Sequence, residues 1–85
     1  FNPETWIPYE LSEPAEVEIR IFNYYGNLVK ILYLGKKFSG VYYDKNKSAY
    51  WDGKNEIKES VASGIYFYQI KAGKFTAFKK MILLK

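Results

Sequence analysis

Alternation of apolar and polar residues dominates the chain. The stretch "AEVEIRIF" shows it best: Val17, Ile19 and Ile21 share one face, and Glu16, Glu18 and Arg20 the other. That period of two predicts a half-buried antiparallel strand. "NYYGN" follows as a turn in which Gly26 supplies a positive φ, and "LVKILYL" is the expected hairpin partner, with a less regular pattern. Near the other end, Tyr66, Tyr68 and Ile70 fall on one face and Ile65, Phe67 and Gln69 on the other. "VASGIYFYQIKAG" and "KFTAFKKMILLK" are expected to form a closing hairpin around Ala72, Gly73 and Lys74.

The remaining segments are shorter. "TWIPYEL" reads as an extended segment that Pro8, lacking an N–H, makes an edge strand or an irregular one. "SEP" is a turn. Residues 35–48 read as a polar stretch in which Val41 to Tyr43 pair as a strand and the rest is a mobile loop. "AYWDG" is a short strand ending in an Asp-Gly turn, and "KNEIKES" is a surface loop. Short strands at regular spacing predict an all-β chain, a Greek-key β-sandwich. The faces of Val17, Ile19, Ile21 and of Tyr66, Tyr68, Ile70 are expected to meet across its two sheets. Trp51 is expected between them, completing the predicted core.

Composition narrows the functional classes. Eighty-five residues make a single domain over 1–85 with a small core, burying about 60–65% of the unfolded surface. Nine Tyr, six Phe and two Trp supply that core with large rings. The chain has no Cys and no His, which removes disulfides, thiolate zinc sites and Ser-His-Asp or Cys-His catalysis. Net charge is +4, but Arg20 is the only arginine, so the lysine excess reads as a solvated surface rather than a nucleic-acid interface. No apolar run approaches the roughly 20 residues of a membrane span. The chain starts at Phe1 without a signal peptide, so it is expected to be part of a larger protein.

Candidate sites each have a plain structural counterpart. Trp51-Asp52-Gly53 reads as a core tryptophan followed by a turn. Tyr24, Tyr25, Tyr42, Tyr43 and Tyr50 form a sugar-stacking face only if they share one surface. Asp44, Asp52, Asn55, Glu56 and Glu59 offer oxygen ligands for Ca²⁺ without the spacing of an EF-hand. Lys79 and Lys80 are either a receptor contact or a solvated strand edge that discourages aggregation. Paired carboxylates for acid–base work need a cleft that a domain this small rarely builds. The chain is expected not to be an enzyme and to need no cofactor.

Four stretches, in order, resemble one family. They are "FNPETWIPYEL", "PAEVEIRIFNYYGNLVKIL", "WDGKN" and "VASGIYFYQIKAGKFTAFKKMILLK". Together they resemble the immunoglobulin-like C-terminal module of the flagellar hook-capping protein FlgD. The type A C-terminal sorting domain of the type IX secretion system is close kin to it. The chain departs from the family where Lys58 and Ser60 replace a Gly and a Pro. A second departure is the longer span from Gly40 to Trp51, which carries roughly "YDKNK" as extra residues.

The resemblance implies an immunoglobulin-like (fibronectin III-like) antiparallel β-sandwich of about seven strands. It implies the C-terminal module of a larger exported protein, at the cell surface or extracellular, and a monomer in isolation. The leading function it implies is a sorting and surface-attachment domain recognised by outer-membrane proteins of the type IX machinery. The alternative is a structural or assembly module with a partner protein, and the third is a carbohydrate-binding module. Gly64, Tyr66, Gly73, Lys80 and the apolar run Met81, Ile82, Leu83 and Leu84 sit where the family's sorting motifs sit.

Overall fold

The computed structural model describes residues 5–84, and every regular element among them is a β-strand. The elements are β1 (Thr5–Ile7), β2 (Tyr9–Leu11), β3 (Ala15–Asn23), β4 (Leu28–Lys37), β5 (Gly40–Tyr42), β6 (Ala49–Trp51), β7 (Gly64–Ala72) and β8 (Phe75–Leu83). The long strands form one antiparallel sheet in the order β4-β3-β7-β8. The short ones pair as β1 with β6 and β2 with β5. The fold is an all-β sandwich built from antiparallel sheets that pack together. The Asn2-Pro3 part of the resemblance, and Lys85, lie outside the described residues.

The two short pairs are halves of one ribbon. Ile7 pairs with Ala49 and Tyr9 with Tyr42. Pro8 alone separates those pairs on one strand, while residues 43–48 separate them on the other. Pro8 lacks the N–H that a continuous ladder needs, so the ribbon breaks there and the extra residues leave it as a loop. Residues 35–37, expected in the mobile polar stretch, belong to β4, and residues 44–48 form a turn in which Lys47 N and Ser48 N donate to the Asp44 carbonyl at 2.9 and 2.6 Å. Ser48 Oγ adds a bond to the Tyr43 carbonyl at 2.9 Å.

The core needs one correction to the sequence reading. Val17, Ile19 and Ile21 do not face Tyr66, Tyr68 and Ile70 across the sandwich. They are neighbours within one sheet, with Ile19 paired to Ile70 and Ile21 to Tyr68. The chain leaves β4, makes the ribbon, and returns beside β3, so both rows point inward from the same side. The opposing layer is supplied by Ile7, Tyr9, Leu11, Ala49 and Trp51, all buried. Trp51 is fully buried, its ring edge-on to Tyr66 at 5.7 Å. Its Nε1–H donates to the Lys54 carbonyl at 2.9 Å, so the one polar atom of the ring is satisfied.

Candidate functional site

The closing hairpin is set by two glycines. Gly73 takes a φ of 61° and Lys74 has no positive φ, the arrangement of a two-residue type II′ turn. Gly64 opens β7 opposite Leu83 at a φ of 149°, which side chains rarely adopt. Tyr66 is buried against Trp51 and donates its hydroxyl to the Ala62 carbonyl at 2.7 Å. Gly64, Tyr66 and Gly73 therefore hold the hairpin's shape and offer no side chain to a partner.

β8 divides the other candidates by face. Alternation turns Met81 and Leu83 toward the core, where Leu83 is 2% exposed. Phe78, Lys80 and Ile82 turn outward, with Phe78 and Ile82 at 64% and 61% exposure, and Leu84 beyond the strand is 76% exposed. Lys79 pairs with Tyr68 and lies on the core side, so Lys79 and Lys80 are not one contact surface. Across the outer face Ile82 pairs with Ile65, and Phe78 lies 6.2 Å from Phe22. An apolar band thus surrounds Lys80, whose register partner is Phe67.

The two edges of the large sheet differ. On β4 the amide of Ile31 donates to Glu56 Oε2 at 3.0 Å, and Lys30 pairs with Glu56 Oε1 at 3.4 Å. The loop that carries Glu56 is itself tied down. Asn55 Oδ1 accepts from the amides of Ile57 and Glu59, and Val61 N donates to the Gly53 carbonyl at 3.0 Å. That loop caps the β4 edge at Ile31. Among the described residues β8 pairs with β7 on one side and with no strand on the other.

The remaining candidates do not assemble. Asp52 Oδ1 accepts from Lys54 N at 3.0 Å, and Glu59 Oε1 accepts from Asn55 Nδ2 at 3.2 Å, so these oxygens serve the turn. Among the described residues no three acidic side chains are grouped to hold a metal ion. Tyr24 and Tyr25 cross edge-on in the β3–β4 turn, while Tyr42, Tyr43 and Tyr50 belong to the ribbon. Tyr42 is stacked on Tyr9 at 4.6 Å and presents no free pair of faces. Among the described residues no helix is long and apolar enough to cross a membrane.

Ionisation in this part of the molecule belongs to tyrosines. Burial raises the Tyr9 phenol, with Tyr42 adding to it, and burial alone raises Tyr66 and Tyr68. The Tyr43 phenol is raised chiefly by its hydrogen bond to Glu10, at 2.8 Å. All four are neutral near pH 7 and none is poised for proton transfer there.

One arrangement has no counterpart in the sequence reading. Tyr9, Glu10, Phe75, Ala77 and Lys79 line a cleft between β2 and the inner face of β8. The only sequence signal for it is the alternation of Phe75, Ala77 and Lys79, which places all three on one side. Compared with known proteins, the chain matches no family model and no curated protein is significantly similar to it.

Proposed function

We propose that this chain is a non-catalytic sorting and surface-attachment domain of an exported protein, recognised through β8 by outer-membrane components of type IX secretion. The observation that carries the reading is the state of β8. Its outer backbone edge pairs with no strand among the described residues, and Lys80 and Ile82 are exposed. A partner strand can extend such an edge through main-chain hydrogen bonds, with Lys80 and the apolar band giving selectivity. Gly64, Tyr66 and Gly73 serve the same end indirectly, by fixing the hairpin that presents the strand. Neither a cofactor nor a metal is needed for recognition of this kind.

The experiment is an export assay. The domain, with an N-terminal export signal, is fused to a reporter in a bacterium that has the type IX system. The reporter is expected at the surface or in the medium. Deleting Met81 to Lys85 is expected to leave it in the periplasm, and Lys80→Ala to weaken export. Because Leu83 is core, the truncated protein must first be shown folded and present at normal level. Periplasmic retention of the intact fusion contradicts the proposal.

A second reading, an assembly module of the hook-capping type, draws support from the band of Phe22, Ile65, Phe78 and Ile82. An apolar sheet face suits a lasting protein contact. Export that persists in a strain lacking the translocon favours it.

A further inference from the structure

The sandwich is unevenly covered. Four strands form one layer, and the other is a two-stranded ribbon. On one side the 52–61 loop reaches β4 through Glu56. On the other side, the strand formed by β1 and β2 pairs, among the described residues, only with β6 and β5, which leaves its second edge without a strand there. Beside that edge the inner face of β8 lies open. The result is a cleft of about 580 Å³ bounded by Pro8, Tyr9 and Glu10 on one wall and by Phe75, Ala77 and Lys79 on the other. Tyr68 and Ile70 form its floor. A second hollow of about 480 Å³ continues it past the shared Glu10 and Phe75 to Ala72 and Lys74.

We infer that this cleft is a docking site for an extended, acidic peptide segment of a partner protein, which adds as a third strand to the second edge of β2. Sheets in a sandwich lie about 10 Å apart and strands within a sheet about 4.8 Å apart. A strand placed beside β2 therefore lies directly over the inner face of β8. The stretch from Lys74 to Lys79 corresponds to about five residues of such a strand, at roughly 3.3 Å each. A strand edge offers backbone donors and acceptors at that repeat, which a peptide matches and a sugar chain does not. Ala72 and Ala77 leave room above the floor for side chains that point inward.

Charge specifies the occupant. Lys79 makes no ion pair among the described residues, whereas in the adjoining hollow the charge of Lys74 is offset by that of Glu13. The Glu10 carboxylate, by contrast, already accepts the Tyr43 hydroxyl at 2.8 Å. Tyr9 lines the same cleft, and its buried hydroxyl has no hydrogen-bond partner among the described residues. A carboxylate on the incoming strand pairs with the Lys79 ammonium. A second copy pairing β2 to β2 would bring Glu10 and Glu13 over the same lysines, so a chain found dimeric by sedimentation velocity without peptide overturns the inference.

The test begins with a random 12-residue peptide library displayed on phage and selected on the purified chain. The best synthetic peptide is then titrated into ¹⁵N-labelled protein. Selected sequences are expected to carry an Asp or Glu flanked by alternating small apolar residues. Amide shifts are expected at residues 9–13 and 74–79. Lys79→Glu should weaken binding at least tenfold. Thr76→Glu, which places a carboxylate on the opposite face of β8, should change it less than twofold. Both sites are exposed, and thermal melts confirm that each variant folds. Failure to select any peptide overturns the inference, as do shifts confined to Ile65, Phe78 and Ile82. Wild-type affinity in Lys79→Glu overturns it too. Linear oligosaccharides that shift the cleft amides when no peptide is selected would assign the site to another ligand class and overturn it as well.

Discussion

Trp51 is the residue on which the two layers depend. It is fully buried, its indole N–H is satisfied and Tyr66 closes its edge. Trp51→Ala should cost about 3–5 kcal/mol, against a total of about 5–10 kcal/mol for a domain of this size. Urea denaturation should find the variant marginal at physiological temperature. A loss under about 1 kcal/mol would contradict the packing described. Lys58 is a smaller case. It is the one non-glycine among the described residues with a positive φ, 66°, at the place where the resembled family carries glycine. The turn keeps that shape without the residue suited to it, so Lys58→Gly should raise stability by about 0.5–1 kcal/mol in the same assay. The buried tyrosines set the alkaline limit. Tyr9, Tyr66 and Tyr68 hold their protons in the folded state beyond the pH at which the unfolded chain releases them. Their contribution is complete below about pH 10 and is lost as pH climbs through their raised folded values. Urea midpoints should be flat in this respect through neutral pH and fall above about pH 10. A midpoint that rose there would contradict the burial.

β8 is the element where stability and recognition meet. Its outer edge pairs with no strand among the described residues, yet Lys79 and Lys80 stand on its two faces and discourage a second copy from pairing with it. Replacing both with Val should leave the monomer fold intact and cause concentration-dependent self-association, measured by sedimentation velocity. A variant that stayed monomeric at high concentration would mean that something other than charge guards the edge. The elements were legible in the sequence to different degrees, for physical reasons. β3 and β7 alternate without interruption, so their inward rows could be read directly. β4 reads irregularly because two register shifts, at Val17/Glu18 and Ile21/Phe22, slip its phase against β3. The ribbon was the least legible part. Pro8 and residues 43–48 cut both its strands into three-residue pieces, too short for periodicity to register.

At the scale of the whole molecule, alternation tells which residues point inward but not which strand lies beside which. Two inward rows look the same whether they are neighbours in a sheet or opposed across a core. That is why Val17, Ile19 and Ile21 were expected opposite Tyr66, Tyr68 and Ile70, when the strands are adjacent. The same limit applies to the site. The sequence could separate Lys80 and Ile82 from Met81 and Leu83, but not show that β8 is an edge or that the ribbon leaves a cleft beside it. The central claim is that a partner engages the domain along β8. It is tested most directly by placing a photo-crosslinking amino acid at position 80 or 82 in a fusion undergoing export, with position 16 on β3 as the comparison. The account predicts adducts with an outer-membrane component of the secretion machinery from positions 80 and 82 and none from 16. Export that proceeds without any adduct at 80 or 82, or with adducts at 16 alone, would contradict it.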